Sequence, residues 1–306
     1  MASRIVSVFG ATGLQGSAVI KTLLKDGTFV PRAITRNPDA EAAQKLNQSG
    51  VEVVKGDSLD KASLVNALRG SEAVFAVTFP IFPLKAEGEG PNEVVQGKNI
   101  VDAAKEAGVK FFIFTGMPSI NRISGGKYKN VLHYDQKEVV EEYLKSSGLA
   151  NASLHLGGFL ENLWTRPLLK KTPTGFNFAV INYTATDVEA FTWVERDVSA
   201  AVLALLKNYT DPSKNISGKS YPVVNANIPY SELATMTGKT LGTEVTFTTA
   251  PPMGMAPIDE MFSAHAEYSG LYTATPVPNP DLVALGVKFG TIEEFLETEV
   301  KPRFGE

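Results

Sequence analysis

At 306 residues the chain is long enough for one large domain or two smaller ones, and 43% hydrophobic with 20% charged residues excludes wholesale disorder. Lys+Arg 29 against Asp+Glu 33 leaves a net charge of −4 without a run of five like charges, so no direct nucleic-acid binding is expected. The absence of cysteine excludes a disulfide scaffold and a thiol nucleophile, and three histidines at unrelated spacings (His133, His155, His265) give no reason to expect a metal centre.

The opening MASRIVSVFG enters a strand pattern at once and leaves no room for a signal peptide. No apolar run reaches the roughly 18–20 residues of a membrane span, so a soluble, cytoplasmic protein is expected. Residues 4–9 read as a β-rich run ending in glycine, followed by a helical pattern over 14–25 with Ala18, Val19, Thr22 and Leu23 on its inner face. The alternation then repeats. Strands are predicted at 29–35, 51–55, 73–78, 110–115 and 152–157, and helices near 38–48, 60–69, 92–107 and 134–147. Strand and helix alternating at this spacing predict an α/β Rossmann fold, a doubly wound parallel sheet with helices on both faces. The near-continuous apolar run Phe111-Phe112-Ile113-Phe114 fits a strand covered on both sides.

Two stretches break the rhythm. Residues 79–91 (FPIFPLKAEGEGP) carry three prolines and two glycines after a strand, the composition of a functional loop. Residues 248–258 (TTAPPMGMAPI) read as an irregular connection. Past residue 158 the alternation loosens, aromatics cluster (Phe159, Trp164, Phe176, Phe178, Phe191, Trp193), and helices are expected near 197–207, 230–238, 257–269 and 291–299. The division expected is a nucleotide-binding domain over 1–157 and a smaller, mixed α/β substrate or interaction region over 158–306, with some segments returning to the Rossmann sheet.

The sharpest motif is Gly10-Ala11-Thr12-Gly13-Leu14-Gln15-Gly16, three glycines three apart between a strand and a helix. The first permits a tight turn, the second a close approach of backbone to a pyrophosphate, and the third close packing of helix on strand. The helix start then offers free N–H groups and a positive dipole end to phosphates. The alternative is a purely structural turn. The second predicted strand ends Ala33-Ile34-Thr35-Arg36-Asn37-Pro38, with Arg36 where a dinucleotide site that prefers NAD would place a carboxylate. A guanidinium there clamps a 2′-phosphate, so NADP(H) is the expected cofactor. Arg32 is a rival cation, and a solvated arginine is the plain alternative for Arg36. Asp57 and Ser58, ending the third strand, are placed to meet the adenine or to cap the next helix.

FGATGLQG, TRNPDA, VVKGD, HYDQKEVVEEYL and GGFLENL together resemble the NmrA-like family of atypical short-chain dehydrogenase/reductases, and are similar to its human NADPH redox-sensor type. The resemblance runs in order from residue 5 to about residue 240 and more thinly beyond. It implies NADP(H) lying across the carboxyl ends of the strands. Carried over by position, Gly10, Thr12, Gly13, Leu14, Gln15 and Gly16 would meet the pyrophosphate, Arg36 and Asn37 the 2′-phosphate, and Asp57 and Ser58 the adenine. Thr78, Phe79 and Pro80 would line the ribose, Lys137 the nicotinamide end, and Phe159, Leu160, Glu161 and Asn162 the nicotinamide. Two lysines of the sensor pattern are Ala40 and Val95 here, which implies a weaker grip on phosphate or a different loop.

Typical short-chain dehydrogenases place Tyr-x-x-x-Lys on a helix, both side chains on one face, with Ser or Thr at the preceding strand end. The aligned pair here is His133 and Lys137, with Thr115 at the strand end and Tyr134 beside His133. An imidazole of ordinary pKa near 6.5 would serve as proton donor; a solvent-facing residue at the helix start is the alternative. Phe79, Phe82, Met117, Phe159, Trp164, Met253 and Phe262 are candidate walls of an apolar substrate cleft, or ordinary core residues. The leading function is NADPH-dependent reduction of a small carbonyl, quinone or imine-type substrate. The alternative is a non-catalytic NADPH sensor that regulates a protein partner, for which nuclear entry is conceivable; no metal is expected in either.

Overall fold

A computed structural model describes residues 4–166 and 168–305; residues 1–3, 167 and 306, which belong to the two regions expected from sequence, lie outside it. The first half alternates as β1 (Ile5–Val8), α1 (Leu14–Asp26), β2 (Val30–Thr35), α2 (Glu41–Gln48), β3 (Glu52–Lys55), α3 (Lys61–Leu68), β4 (Ser71–Ala76), α4 (Glu93–Glu106), β5 (Phe111–Gly116), α5 (Ile120–Ile123), α6 (Leu132–Ser146) and β6 (Ala150–Leu156). The expected doubly wound sheet is present. Seven parallel strands run in the order β11–β6–β5–β4–β1–β2–β3, where β11 is Lys219–Val223. The order reverses between β1 and β4, and that reversal opens a crevice at the carboxyl ends of the strands.

Each face of this sheet is sealed by an apolar layer. On one side Val6, Val8, Ala33, Phe75, Phe111 and Ile113 pack against Val19, Ile20 and Leu23 of α1. On the other, Ile34, Val74, Ala76, Phe112 and Phe114 meet Leu64 of α3, Ile100 and Val101 of α4, and Val140 of α6. Alternation along each strand sends successive side chains to opposite layers, which is why the central strands are mainly apolar on both faces.

The second half departs further from the sequence reading. It adds β7 (Gly158–Phe159), α7 (Asn162–Thr165), β8 (Leu169–Thr172), β9 (Gly175–Ile181), β10 (Val188–Thr192), α8 (Ser199–Asn208), β11, β12 (Ala226–Pro229), α9 (Tyr230–Leu241), β13 (Glu244–Ala250) and α10 (Ala256–Glu267). Seven strands here were not placed by the sequence reading. They form two three-stranded sheets, β12–β10–β7 and β13–β9–β8, plus the β11 edge of the large sheet. The irregular segment expected at 248–258 is shorter, because Thr248, Thr249 and Ala250 pair with β9. The helix expected over 291–299 is two short pieces, Ile292–Phe295 and a π-helical turn Leu296–Val300. Chain from this half returns to the first: Ala201, Val202 and Leu205 of α8, Val223 of β11, and Leu282 share the apolar layer of α1. Among the described residues no helix is long and apolar enough to cross a membrane.

Candidate functional site

The turn after β1 is built as its glycines require. Gly10 has φ +63°, a left-handed conformation that favours glycine, and its carbonyl accepts from the Gly13 amide at 2.8 Å. A Cβ on Gly16 would lie 2.3 Å from that carbonyl oxygen, so α1 sits directly on the turn. Gly13 caps α1 without any side-chain bond, and the first helical turn carries no acid. The amides and the positive dipole end are therefore left for an anion.

A cleft of about 390 Å³ runs from Gly10 to Gly13, past Arg36, Asp57 and Ser58 at the ends of β2 and β3, to Phe79 and Pro80 beyond β4. Arg36 is exposed and is the one basic side chain lining it among the described residues. Asn37 shapes the approach: its amide donates to Thr35 Oγ1 and its Oδ1 accepts from Asp39 N at 3.1 Å. The rival Arg32 is committed elsewhere, to Glu52 at 2.8 Å and to the carbonyls of Ala67 and Arg69. Helix α3 is capped by neither Asp57 nor Ser58. Asp60 does this, accepting from Ala62 N at 3.1 Å and Ser63 N at 3.3 Å, while Asp57 Oδ1 holds its own turn through Leu59 N.

Past the cleft, at the ends of β4 and β5, stand the residues expected to handle the nicotinamide. Lys137 Nζ donates to Thr78 O at 2.8 Å and Thr78 Oγ1 at 2.9 Å, and it pairs with Glu93. Thr115 Oγ1 donates to Gln15 Oε1 at 2.8 Å, tying the start of α1 to β5. His133 occupies the first turn of α6, one helical turn before Lys137, with a buried Nδ1 that has no partner. Burial first, then the charge of Lys137, push its pKa down to about 4, so the ring is neutral at pH 7. The sequence had suggested an ordinary imidazole.

Tyr134 faces a different neighbourhood. Its buried hydroxyl meets His265 Nε2 at 3.0 Å, and His265 Nδ1 lies 3.2 Å from both oxygens of Glu189. With that carboxylate accepting at Nδ1, Nε2 is left to accept the phenol proton. Burial, then the charge of Glu189, push the phenol well above its usual range.

The segment 159–162 is divided. Phe159 and Asn162 are half-buried, while Leu160 and Glu161 turn into the core. Glu161 Oε1 accepts from Glu195 N at 2.9 Å, its Oε2 has no partner, and burial pushes the carboxyl up to about 7. Asp197 is alike: Oδ1 accepts from Gly290 N, Oδ2 is unpartnered, and burial pushes it to about 7. Of the suggested cleft walls, Trp164 stacks on Phe295 and Phe262 packs in the same core, whereas Phe79, Phe82 and Met253 are exposed. Met117 lies in a small apolar cluster with Tyr134 and Ala264.

A glycine turn without a side-chain cap, a lone cation past β2 and an anchored lysine at the strand ends agree with a match to the NmrA-like family model over residues 2–296. The chain belongs to the NmrA-like family. It is 42% identical over 146 residues to the NmrA-like family domain-containing oxidoreductase notA of Aspergillus sp. (strain MF297-2), covering 47% of this chain and 43% of that one. With an NmrA-like family domain-containing protein of Dictyostelium discoideum it shares 34% over 150 residues, covering 49% and 47%. The matched stretch thus spans less than half the length of these curated relatives. Among solved structures, NmrA, a negative transcriptional regulator in complex with NADP, superposes with a TM-score of 0.76 at 18% identity, covering 99% and 97% of the two chains. An NADPH-dependent quinone oxidoreductase of Escherichia coli, complexed with NADPH, gives 0.71 at 24%, covering 95% and 98%. Both likenesses establish the NmrA-like fold.

Two residues at this NmrA-like site escaped the sequence reading. Gln96 bonds both backbone groups of Phe79, donating to its O at 2.8 Å and accepting from its N at 3.2 Å. Glu93 meets Lys137 from the first turn of α4. An Asn-Glu pair opening a helix reads as ordinary capping, which hides Glu93 in the sequence.

Proposed function

We propose that the chain binds NADP(H) across the strand ends and uses it to reduce a small carbonyl, quinone or imine-type substrate. The fit rests on the α1 turn, whose close glycine packing and uncapped amides suit a pyrophosphate, with Arg36 set for a 2′-phosphate. When bound, the dinucleotide supplies a hydride to an electrophilic carbon of the substrate. The observation that carries the reading is Lys137, fixed at Thr78 just past the end of β4 and one helical turn after His133. In this reading Lys137 orients the nicotinamide ribose, and Thr115 with Gln15 holds the start of α1 against β5. His133, neutral, donates a hydrogen bond to the substrate oxygen rather than acting as an imidazolium, and the proton that completes the reduction comes from water.

That neutral imidazole, in place of a tyrosine, also favours the second reading, an NADPH sensor without turnover that regulates a protein partner. Stopped-flow oxidation of bound NADPH against quinones, aldehydes and cyclic imines separates the two. Oxidation with any of these supports the reductase; none with any of them, in protein that binds NADPH by calorimetry, leaves the sensor.

A further inference from the structure

We infer that Glu93 is a positioning residue that holds Lys137 for the cofactor, an inference that rests on the NADP(H) reading above. Glu93 is fully buried, although it occupies the first turn of α4, where an acid is normally cheapest beside the helix N–H groups and in water. Its Oε2 pairs with Lys137 Nζ and accepts from Thr78 Oγ1 at 2.6 Å, while Oε1 is buried without a partner. A buried carboxylate with a free oxygen is costly, and removing its counter-charge would make it costlier.

The geometry around Lys137 explains what that cost achieves. Thr78 O, Thr78 Oγ1 and Glu93 fill the three N–H donors of the ammonium. A ribose hydroxyl therefore meets Lys137 by taking over the contact to Thr78 Oγ1, the one neutral side-chain acceptor of the three, whose hydroxyl still donates to Glu93. Glu93 is the charged partner that stays and stops the flexible four-carbon stem from swinging out. The backbone of Glu93 is also tied to α6: its N–H donates to Gln136 Oε1 at 3.1 Å, and Gln136 is the neighbour of Lys137. One helix thus sets both the lysine and its anchor.

Calorimetry with NADPH on the whole chain, using Glu93→Gln, Lys137→Met and the double variant, tests this. Glu93→Gln is expected to weaken NADPH about tenfold, and in any turnover assay to raise the NADPH KM far more than it lowers kcat. In the Lys137→Met background the same change should cost almost nothing further, since the carboxylate acts through the lysine. An unchanged NADPH affinity in Glu93→Gln, or losses that multiply in the double variant, would overturn the inference. If Glu93→Gln does not fold, Glu93→Asp, which keeps the charge and withdraws it by one methylene, must show the same dependence on Lys137. Failure of the unsubstituted protein to bind NADPH would remove the reading and the inference together. Binding that is indifferent to Glu93 would remove the inference alone.

Discussion

Arg36 stands exposed past the end of β2, while the other strand arginine is spent on Glu52 and two carbonyls. A charge-assisted hydrogen bond is worth about 1.5–3 kcal/mol, or roughly 10- to 150-fold in affinity. Arg36→Ala is therefore expected to erase most of a preference for NADPH over NADH while leaving NADH binding nearly unchanged. Equal affinities for the two in the unsubstituted protein would defeat that assignment. For His133 the decisive quantity is its titration. Held near pKa 4 by burial and Lys137, it stays neutral through the physiological range. Any titration step that His133 contributes to a turnover profile should thus fall near pH 4 and not near 6.5. His133→Ala should lower turnover about tenfold, the worth of one hydrogen bond from a neutral donor, with NADPH affinity intact; a limb at 6.5 would mean that the ring is solvated.

At the scale of elements, the 79–91 loop is tethered at intervals: Gln96 binds Phe79, Gln136 Nε2 donates to Lys85 O at 2.6 Å, and Lys98 pairs with Glu87. The Phe79 ring is exposed where it lines the cleft, and Phe82 is exposed between the first two ties. Amide exchange across 79–91 should slow when NADPH is added; equal exchange with and without it would show that the loop does not cover the cofactor. Glu161 and Asp197 brace the turn at Val194–Val198 and the chain at Gly290. Their folded pKa values, about 7, lie above the ordinary 4.5 and 3.8, so the fold favours the protonated forms. The resulting stabilisation is complete below the unfolded values and is lost as pH rises through 7. Glu161→Gln should cancel roughly 2–3 kcal/mol of the stability lost between pH 5 and pH 8, read from urea midpoints at both values. A parallel loss in variant and parent would refute it.

The α/β alternation was legible because the central strands, such as β5 with Phe111, Phe112, Ile113 and Phe114, are buried on both faces and most of their neighbours are joined by short turns. The strands of the second half were not, for a physical reason. β13 (Glu244–Ala250) alternates Val245, Thr246, Phe247 and Thr248 with one exposed face, and β8 is only Leu169–Thr172. Both are short or polar enough to pass as connection. At the site, the glycine turn and Arg36 could be read from local spacing, whereas Glu93 could not. Its role depends on a lysine 44 residues away, and no spacing rule encodes that pairing.

On the scale of the molecule, the buried chain Tyr134–His265–Glu189–Tyr183 joins α6 of the large-sheet half to α10 and β10 of the other. His265→Ala removes the donor between Glu189 and Tyr134, leaving the carboxylate with Tyr183 and the Ala190 amide alone. A loss of roughly 2–4 kcal/mol in unfolding free energy is expected, measurable by denaturant titration; an unchanged midpoint would mean the two halves are fastened elsewhere. The same intimacy appears where α8 and β11 cross back over residue 157 to cover α1 and extend the sheet beyond β6. A nucleotide-binding half cut out at that residue would bare the apolar side of α1 and leave β6 as an unpaired edge, a template for sticking to its own copies. This architecture therefore does not travel as a cassette. The halves cut at the sequence midpoint and expressed apart are expected to be insoluble, because each would bare apolar surface that the other now covers.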